Sequence, residues 1–408
     1  MSTIKPFKAY RPLPELVHLV ASRSYVTYSE EQLKDKLRYN PYSFIHIIHP
    51  DFDSERPSEP GSQDRFVRVR KRFEEFVEEG SLEVEEKPAY YVYRQAKEGL
   101  DCTGIIGGVS VSDYENGKIK IHEQTLQKRE ELFCDYLDAT NFNAEPILLC
   151  HTDIPDLNAF YMDVRNRIPM YNFRTADKVL HQMWRVDDPS EIAEIEAYFR
   201  KVNAMYIADG HHRSASSALL ARKRKETGDA ADMSDYFMSY IIPASALVIH
   251  GYHRLVKNLG NLSPEAFLSE LAKVATIIEL GEKTRLPKVG TIDLYMENKW
   301  YRLDFSPSVH LELPDADWLT NNILSPILGI TDLRNDNRIA FEPETTGIHE
   351  IAKMVDSGKF ECAFLLHPVP FDQLKLISDL GKTMPPKSTW IEPKLRSGLV
   401  IYEFNADK

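Results

Sequence analysis

Apolar and polar positions along the chain change period several times. Between residues 65 and 80, Phe66, Val69, Phe73, Phe76 and Val77 recur mostly three and four apart among charged residues. That spacing predicts an amphipathic helix stopped at Gly80. Residues 89–94 and 104–111 are tyrosine-rich or β-branched and predict strands. The Glu115-Asn116-Gly117 turn follows, and residues 120–123 lead into a charged helix running to about 137, which places polar residues at a helix start. Short apolar runs at 146–150 and 179–186 predict two more strands. Asp188-Pro189-Ser190 opens a helix over 189–202 as an N-cap followed by an early proline. The apolar run 204–208 then predicts a buried strand, Asp209-Gly210 a turn, and 212–226 a helix ending at Gly228.

Further on, the patterns predict strands at 236–243, 246–250, 361–367 and 398–404, and helices at 264–274, 348–355 and 371–380. A hairpin over 293–305 turns at Glu297-Asn298-Lys299. The proline-rich first 60 residues read as an extended arm with one helix at 30–37. Helices and strands alternate without a sustained β-α-β period or an internal repeat, so the expected class is α+β, mixed sheets with flanking helices. The pattern divides the chain into lobes at 1–175, 176–310 and 311–408.

Composition narrows the class of protein. The 408 residues are 43% hydrophobic and 27% charged, which excludes a disordered or fibrous chain. With 50 basic and 62 acidic side chains the net charge is −12, which disfavours a protein that coats nucleic acid but leaves room for a local basic pocket. No apolar stretch approaches 18 residues, and Met1 to Pro6 lacks the apolar core of a secretory signal, so a cytoplasmic location away from membranes is expected. Cys102, Cys134, Cys150 and Cys362 stand far apart and are expected to be buried thiols.

Three segments carry candidate chemistry. In Asp209-Gly210-His211-His212-Arg213-Ser214 a strand delivers glycine and polar groups to a helix mouth, where N–H groups and the helix dipole favour an anion. Gly210 permits close approach of the backbone to a phosphate, Arg213 offers a forked donor, and Asp209 suits Mg²⁺ or a proton. The plain alternative is that Asp209 caps the helix and the histidines lie on the surface. The second segment, 384–394, presents Lys387, Ser388, Thr389 and Lys394 from a proline-stiffened loop without the glycines of a P-loop, or is simply a rigid turn. In the third, alternation puts Lys120 and His122 on one side, and Glu123 is either a general base or a helix-dipole partner. His151 and Asp153 have metal-like spacing in an apparent loop, with no third ligand nearby in sequence. Nucleophile-elbow and dinucleotide-binding glycine patterns do not occur.

The blocks at 119–123, 207–213 and 384–400, with Lys387-Ser388-Thr389, Pro393-Lys394 and Ser397-Gly398-Leu399, resemble the signature blocks of the DUF1015 family. The likeness begins at Ile4-Lys5-Pro6-Phe7 and spans essentially the whole chain as one family-wide unit. Ser214 stands where the resemblance implies an aromatic residue in many relatives, which puts a stacking role there in doubt. The run Asp209 to Arg213 is also similar to the strand–turn–helix motif of ParB and sulfiredoxin-like nucleotide-binding proteins, which include free-serine kinases with an Asp-Gly-His-x-Arg version. That resemblance implies that Gly210, His211, His212 and Arg213 meet nucleotide phosphates, and it suggests serine or phosphoserine as substrate.

The leading expectation is phosphoryl transfer to a small hydroxyl-bearing metabolite, with ATP or ADP and Mg²⁺ as cofactors. Glu123, Asp209 and His212 are the expected catalytic residues, with Asp209 also toward Mg²⁺. Lys120, His122, Gly210, His211, Arg213, Lys387, Ser388, Thr389 and Lys394 are the expected phosphate or nucleotide ligands. The second segment is expected to fold back onto the Asp209 turn, with Lys387 or Lys394 facing the same cavity as Arg213. The competing expectations are a nucleotide-binding switch acting on a protein partner, and a metal-dependent hydrolase using His122, His151, His211 or His212.

Overall fold

The protein is described by a computed structural model over residues 2–23, 28–52, 54–229, 233–281, 285–305 and 313–404. It divides into two compact units, Met1–Leu247 with Pro393–Lys408, and Val248–Glu392. The divisions thus fall at 247/248 and 392/393, where the sequence pattern drew lobes at 175/176 and 310/311. The reason is pairing across the chain. The last strand, Ile401–Glu403, adds antiparallel to Ala9-Tyr10 and to Phe142-Asn143, and so joins the N-terminal part.

In the first unit the N-terminal segment is built into the fold rather than extended as an arm. Strands β1 (Ile4–Lys5) and β2 (Ala9–Pro12) enter two different sheets, and Phe7 is buried between them. Helix α1 (Glu30–Tyr39) starts at a capping box formed by Ser29 and Gln32. Helix α2 (Gln63–Glu78) is capped by Ser62 and buries Phe66, Val69, Phe73 and Phe76, the stripe its spacing predicts. Strand β3 (Leu82–Val84) pairs with β2, and β4 (Tyr90–Lys97) and β5 (Leu100–Ser110) form a long hairpin.

Next come β6 (Ile119–Lys120), α3 (Gln127–Thr140), β7 (Phe142–Asn143), β8 (Ile147–His151), α4 (Pro155–Arg165), β9 (Tyr171–Arg174) and β10 (Leu180–Val186). Helix α5 (Pro189–Arg200) is capped by Asp188, whose Oδ1 accepts the Ser190 and Glu191 amides at 2.8 and 3.3 Å. Strand β11 (Met205–Asp209), α6 (His211–Thr227) and β12 (Tyr236–Pro243) complete the series. Among the described residues the main sheet runs β6-β11-β8-β12-β5-β4-β10-β9, with β1 on β5. It is mixed: β6–β11 and β8–β12 are parallel, and β11–β8 is antiparallel. The fold is therefore α+β. Its core gathers Tyr90, Ile105, Leu149, Trp184, Phe199 and Ile207.

Two expectations are corrected here. Helix α3 begins at Gln127 after an extended Leu126, so Glu123 lies before the helix and not at its start. A run of backbone without helical bonds separates the carboxylate from the helix dipole, which falls off within one turn. His151 is not in a loop: it is the buried last residue of β8, paired with Pro243. The four cysteines are free and buried, as their spacing predicts.

The second unit holds β13 (Val248–His250), β14 (Tyr252–Val256), α7 (Pro264–Leu271), β15 (Thr276–Leu280), β16 (Thr291–Met296) and β17 (Lys299–Asp304). These are followed by α8 (Asp315–Leu319), β18 (Ile339–Pro343), α9 (Ile348–Asp356), β19 (Cys362–Leu365), α10 (Phe371–Asp379) and β20 (Trp390–Glu392). The predicted hairpin is β16–β17; both Glu297 and Asn298 have positive φ, as a two-residue turn requires. Among the described residues its sheet runs β15-β17-β16-β19-β14-β18, and Phe267, Ile292, Leu294, Leu319 and Phe364 lie in its core.

Candidate functional site

The site begins with a register. Parallel pairing of Met205 with Ile119 and of Tyr206 with Lys120 carries β6 and β11 out of the sheet side by side. Residues 121–123 therefore leave beside Asp209, Gly210 and His211. Gly210 holds φ at +105°, and a Cβ there would come within 3.1 Å of Arg213 Nε and Nη2 and 3.3 Å of Ile147 Cγ1. The chain can turn from strand to helix this sharply only with glycine. The 17-residue α6 then starts without a capping side chain.

The histidines are not surface residues. His211 and His122 are both buried, and their rings meet edge to face with centroids 4.5 Å apart. The His122 backbone N–H donates to His211 Nε2 at 3.4 Å. Nε2 is thus the acceptor, so the proton of the neutral ring sits on Nδ1, 3.5 Å from Glu123 Oε2. Burial pulls the His122 imidazole down to about 4 against the opposing charge of Asp209. Burial, with His122 and His212 adding to it, holds His211 well below the ordinary histidine value. Both rings are neutral near pH 7. His122 Nδ1 is buried with no hydrogen-bond partner among the described residues. Glu123 itself is half-exposed.

Arg213 Nη2 donates to Asp209 Oδ2 at 3.0 Å, and Nη1 pairs with Glu145. Burial lowers the Arg213 pKa, but Glu145 and Asp209 outweigh it and the net shift is upward. Asp209 therefore does not cap α6; Gly210 occupies the cap and Asp209 is held by Arg213 one turn on. Glu145 also accepts from Ser397 Oγ at 3.3 Å. Nothing in the local pattern around Glu145 marks it. Its role arises from the approach of β8 and of the Ser397-Gly398 segment to α6, which only the folded chain produces. Along α6, Ser214, Ser216 and Ser217 turn their hydroxyls back to the carbonyls of His211, His212 and Arg213 at 2.9, 2.7 and 2.9 Å. Ser214 is buried in this way.

The structure thus brings Lys120, His122, Glu123, Asp209, Gly210, His211, His212 and Arg213 into one neighbourhood at the carboxyl ends of β6 and β11. Lys394 belongs to the same unit, whereas Lys387, Ser388 and Thr389 belong to the second unit. His151 is placed elsewhere. In the antiparallel β8–β11 register Leu148 faces Asp209 and Cys150 faces Tyr206, so His151 lies toward the opposite end of β11. Its ring packs edge-on against Phe199, and Asp153 accepts the Ser245 amide at 3.1 Å. Among the described residues no group of three His, Cys, Asp or Glu is arranged to hold a metal ion. The half-exposed carboxylates of Asp209 and Glu123 are nevertheless the kind of donor Mg²⁺ takes together with water and phosphate oxygens.

Fold and site together define an α+β protein with a strand–glycine–helix turn lined by histidines and carboxylates. The chain belongs to the DUF1015 family, whose sequence model, described as a protein of unknown function, matches residues 4–327. Several solved structures are distantly similar. SbnI with a C-terminal truncation from Staphylococcus aureus has 12% identity and a TM-score of 0.39, over 74% of this chain and 90% of its own. A free serine kinase mutant in complex with ADP has 15% identity and a TM-score of 0.38, over 73% and 90%. A conserved hypothetical protein from Pyrococcus furiosus has 17% identity and a TM-score of 0.34, over 72% and 94%. No curated protein resembles the chain closely enough to count as a match. Among the described residues no helix is long and apolar enough to cross a membrane.

Proposed function

We propose that the β11–Gly210–α6 turn binds the phosphates of a nucleotide and that the first unit transfers a phosphoryl group to the hydroxyl of a small metabolite such as free serine. The observation that carries this reading is the convergence at one helix mouth. Gly210 at φ +105° opens α6 with no capping side chain, and beside it His211 Nδ1 lies 3.5 Å from the carboxylate of the half-exposed Glu123. The first-turn N–H groups suit a phosphate, and a steered carboxylate next to them suits a hydroxyl proton. The similarity of residues 209–213 to the turn of free-serine kinases supports serine as the acceptor.

In this reading Glu123 takes the proton as the substrate oxygen bonds to the terminal phosphorus. The bond from that phosphorus to the bridging oxygen breaks, and the nucleotide leaves one phosphate shorter. His211 positions Glu123, and Arg213 positions Asp209 while offsetting part of the carboxylate charge. Asp209, with Glu123 near it, would hold Mg²⁺, which supplies neutralisation of phosphate charge when bound. Lys120, His122 and His212 line the approach.

The test is to incubate the purified protein with serine, Mg²⁺ and either ATP or ADP and to measure phosphoserine. Phosphoserine above the protein-free control is expected. Its absence with both nucleotides rejects serine as the acceptor, and nucleotide binding without any turnover favours a switch instead.

A further inference from the structure

The second unit contains a buried guanidinium with one edge that has no hydrogen-bond partner among the described residues. Arg254 lies within β14 and is 1% exposed. Its Nη1 donates to the Tyr252 carbonyl at 2.7 Å, and the guanidinium sits 5.0 Å from the ring of Phe341, its register partner on β18. Nε and Nη2, the edge with two parallel N–H groups, have no hydrogen-bond partner among the described residues. Burying a guanidinium with that edge unsatisfied is costly, and native proteins rarely keep such a group without a use for it. Burial pulls its pKa down to about 10, with Asp317 and Tyr252 opposing.

Arg254 lines a cavity together with Tyr252, Asp315, His367, Gln373 and Ser388. The enclosed part measures about 10 Å³, and the depression including its open mouth about 300 Å³. Asp315 is buried at the start of α8, and its two oxygens accept the Gly290 amide at 3.1 and 3.3 Å, leaving lone pairs for another donor. Ser388 comes from the proline-stiffened loop, where Lys387 adopts a positive φ and places Nζ 5.3 Å from the centre of the Tyr252 ring. That loop lies beyond residues 4–327, which the family model matches, and it is not needed for the chemistry assigned to the first unit.

We propose that this cavity binds a small amino acid, with the carboxylate on the Nε–Nη2 edge of Arg254 and the ammonium on Asp315. A side-on pair between guanidinium and carboxylate satisfies both unpartnered N–H groups at once. A zwitterion suits the lining better than a phosphate does. The lining offers one guanidinium, Arg254, and one carboxylate, Asp315, which match the two opposite charges of a zwitterion. As it stands the enclosed part has room for no more than about one water, so a carboxylate reaches the Arg254 edge only as the lining side chains give way, with the rest of the ligand in the open mouth. This proposal is independent of the phosphoryl-transfer reading.

The test is calorimetric titration of the full-length protein with glycine and alanine, which carry no hydroxyl to phosphorylate, alongside acetate and inorganic phosphate. Saturable binding of glycine or alanine is expected. Arg254→Met should weaken it at least tenfold while raising the melting temperature of the ligand-free protein, because an unpaired buried charge is removed. Asp315→Asn should weaken glycine more than acetate. If Arg254→Met does not fold, Arg254→Lys, which keeps the charge and loses the two-toothed edge, should show the same loss. Wild-type protein that binds neither amino acid, or that binds phosphate more tightly than either, overturns the proposal. So does unchanged affinity in the Arg254 variant that folds.

Discussion

The His122 backbone N–H donates to His211 Nε2 at 3.4 Å, which settles on which nitrogen His211 carries its proton and turns that proton toward Glu123. One long contact between the segment after β6 and the first residue of α6 therefore links a backbone amide to the carboxylate proposed as base. Protonating His211 would remove the acceptor from His122 and place a full positive charge beside Glu123.

A pH dependence of stability follows from the same pair. The His122 pKa falls from 6.5 in the unfolded chain to about 4 in the fold, and His211 is also lowered. Between those values the unfolded chain binds more protons, so stability is fully present above about pH 6.5 and is lost as the pH falls toward 4. For His122 alone the loss is on the order of 3 kcal/mol. Denaturant midpoints measured from pH 7 to 4 should fall more steeply for wild type than for His122→Gln; parallel curves would show that the rings do not contribute.

Gly210→Ala should be costly for two reasons, the φ of +105° and the contacts at 3.1 Å to Arg213. A loss of about 1 to 3 kcal/mol is expected. Gly228 ends the same helix at φ +74° with nothing within 4 Å of a built Cβ, so Gly228→Ala isolates the backbone penalty at about 1 kcal/mol. Equal losses in the two variants would mean that Arg213 moves away without cost.

Arg213 lies between Asp209 and Glu145, so Arg213→Ala leaves two carboxylates facing each other across the gap. The expected loss is about 1 to 3 kcal/mol. A double-mutant cycle with Glu145→Gln should show a coupling of at least about 0.5 kcal/mol. Zero coupling would mean that the contact does not hold the turn.

Glu123→Gln separates catalysis from structure. If Glu123 is the base, turnover falls by about 10² to 10⁴ with nucleotide affinity nearly unchanged. Since the side chain is half-exposed and precedes α3, its loss should shift stability by no more than about 0.5 kcal/mol. Full activity in the variant would assign the proton to another group.

Much of this protein is legible along the chain because the relevant physics is local. The stripe Phe66, Val69, Phe73 and Phe76 needs only a 3.6-residue period to show a buried face, and Asp188-Pro189 needs only neighbouring amides to start a helix. Gly210 between an apolar strand and a polar helix start is readable for the same reason. What remained invisible depends on pairing between distant segments. The parallel register of β6 on β11 sets His122 against His211, 89 residues away, and the approach of Glu145 to Arg213 carries no mark in either neighbourhood. The assignment of the Lys387-Ser388-Thr389 loop to the unit that holds Arg254 follows from how its neighbours pack. Periodicity reports which face of an element is buried; only the folded chain decides what that face is buried against, and hence which nitrogens and carboxylates meet.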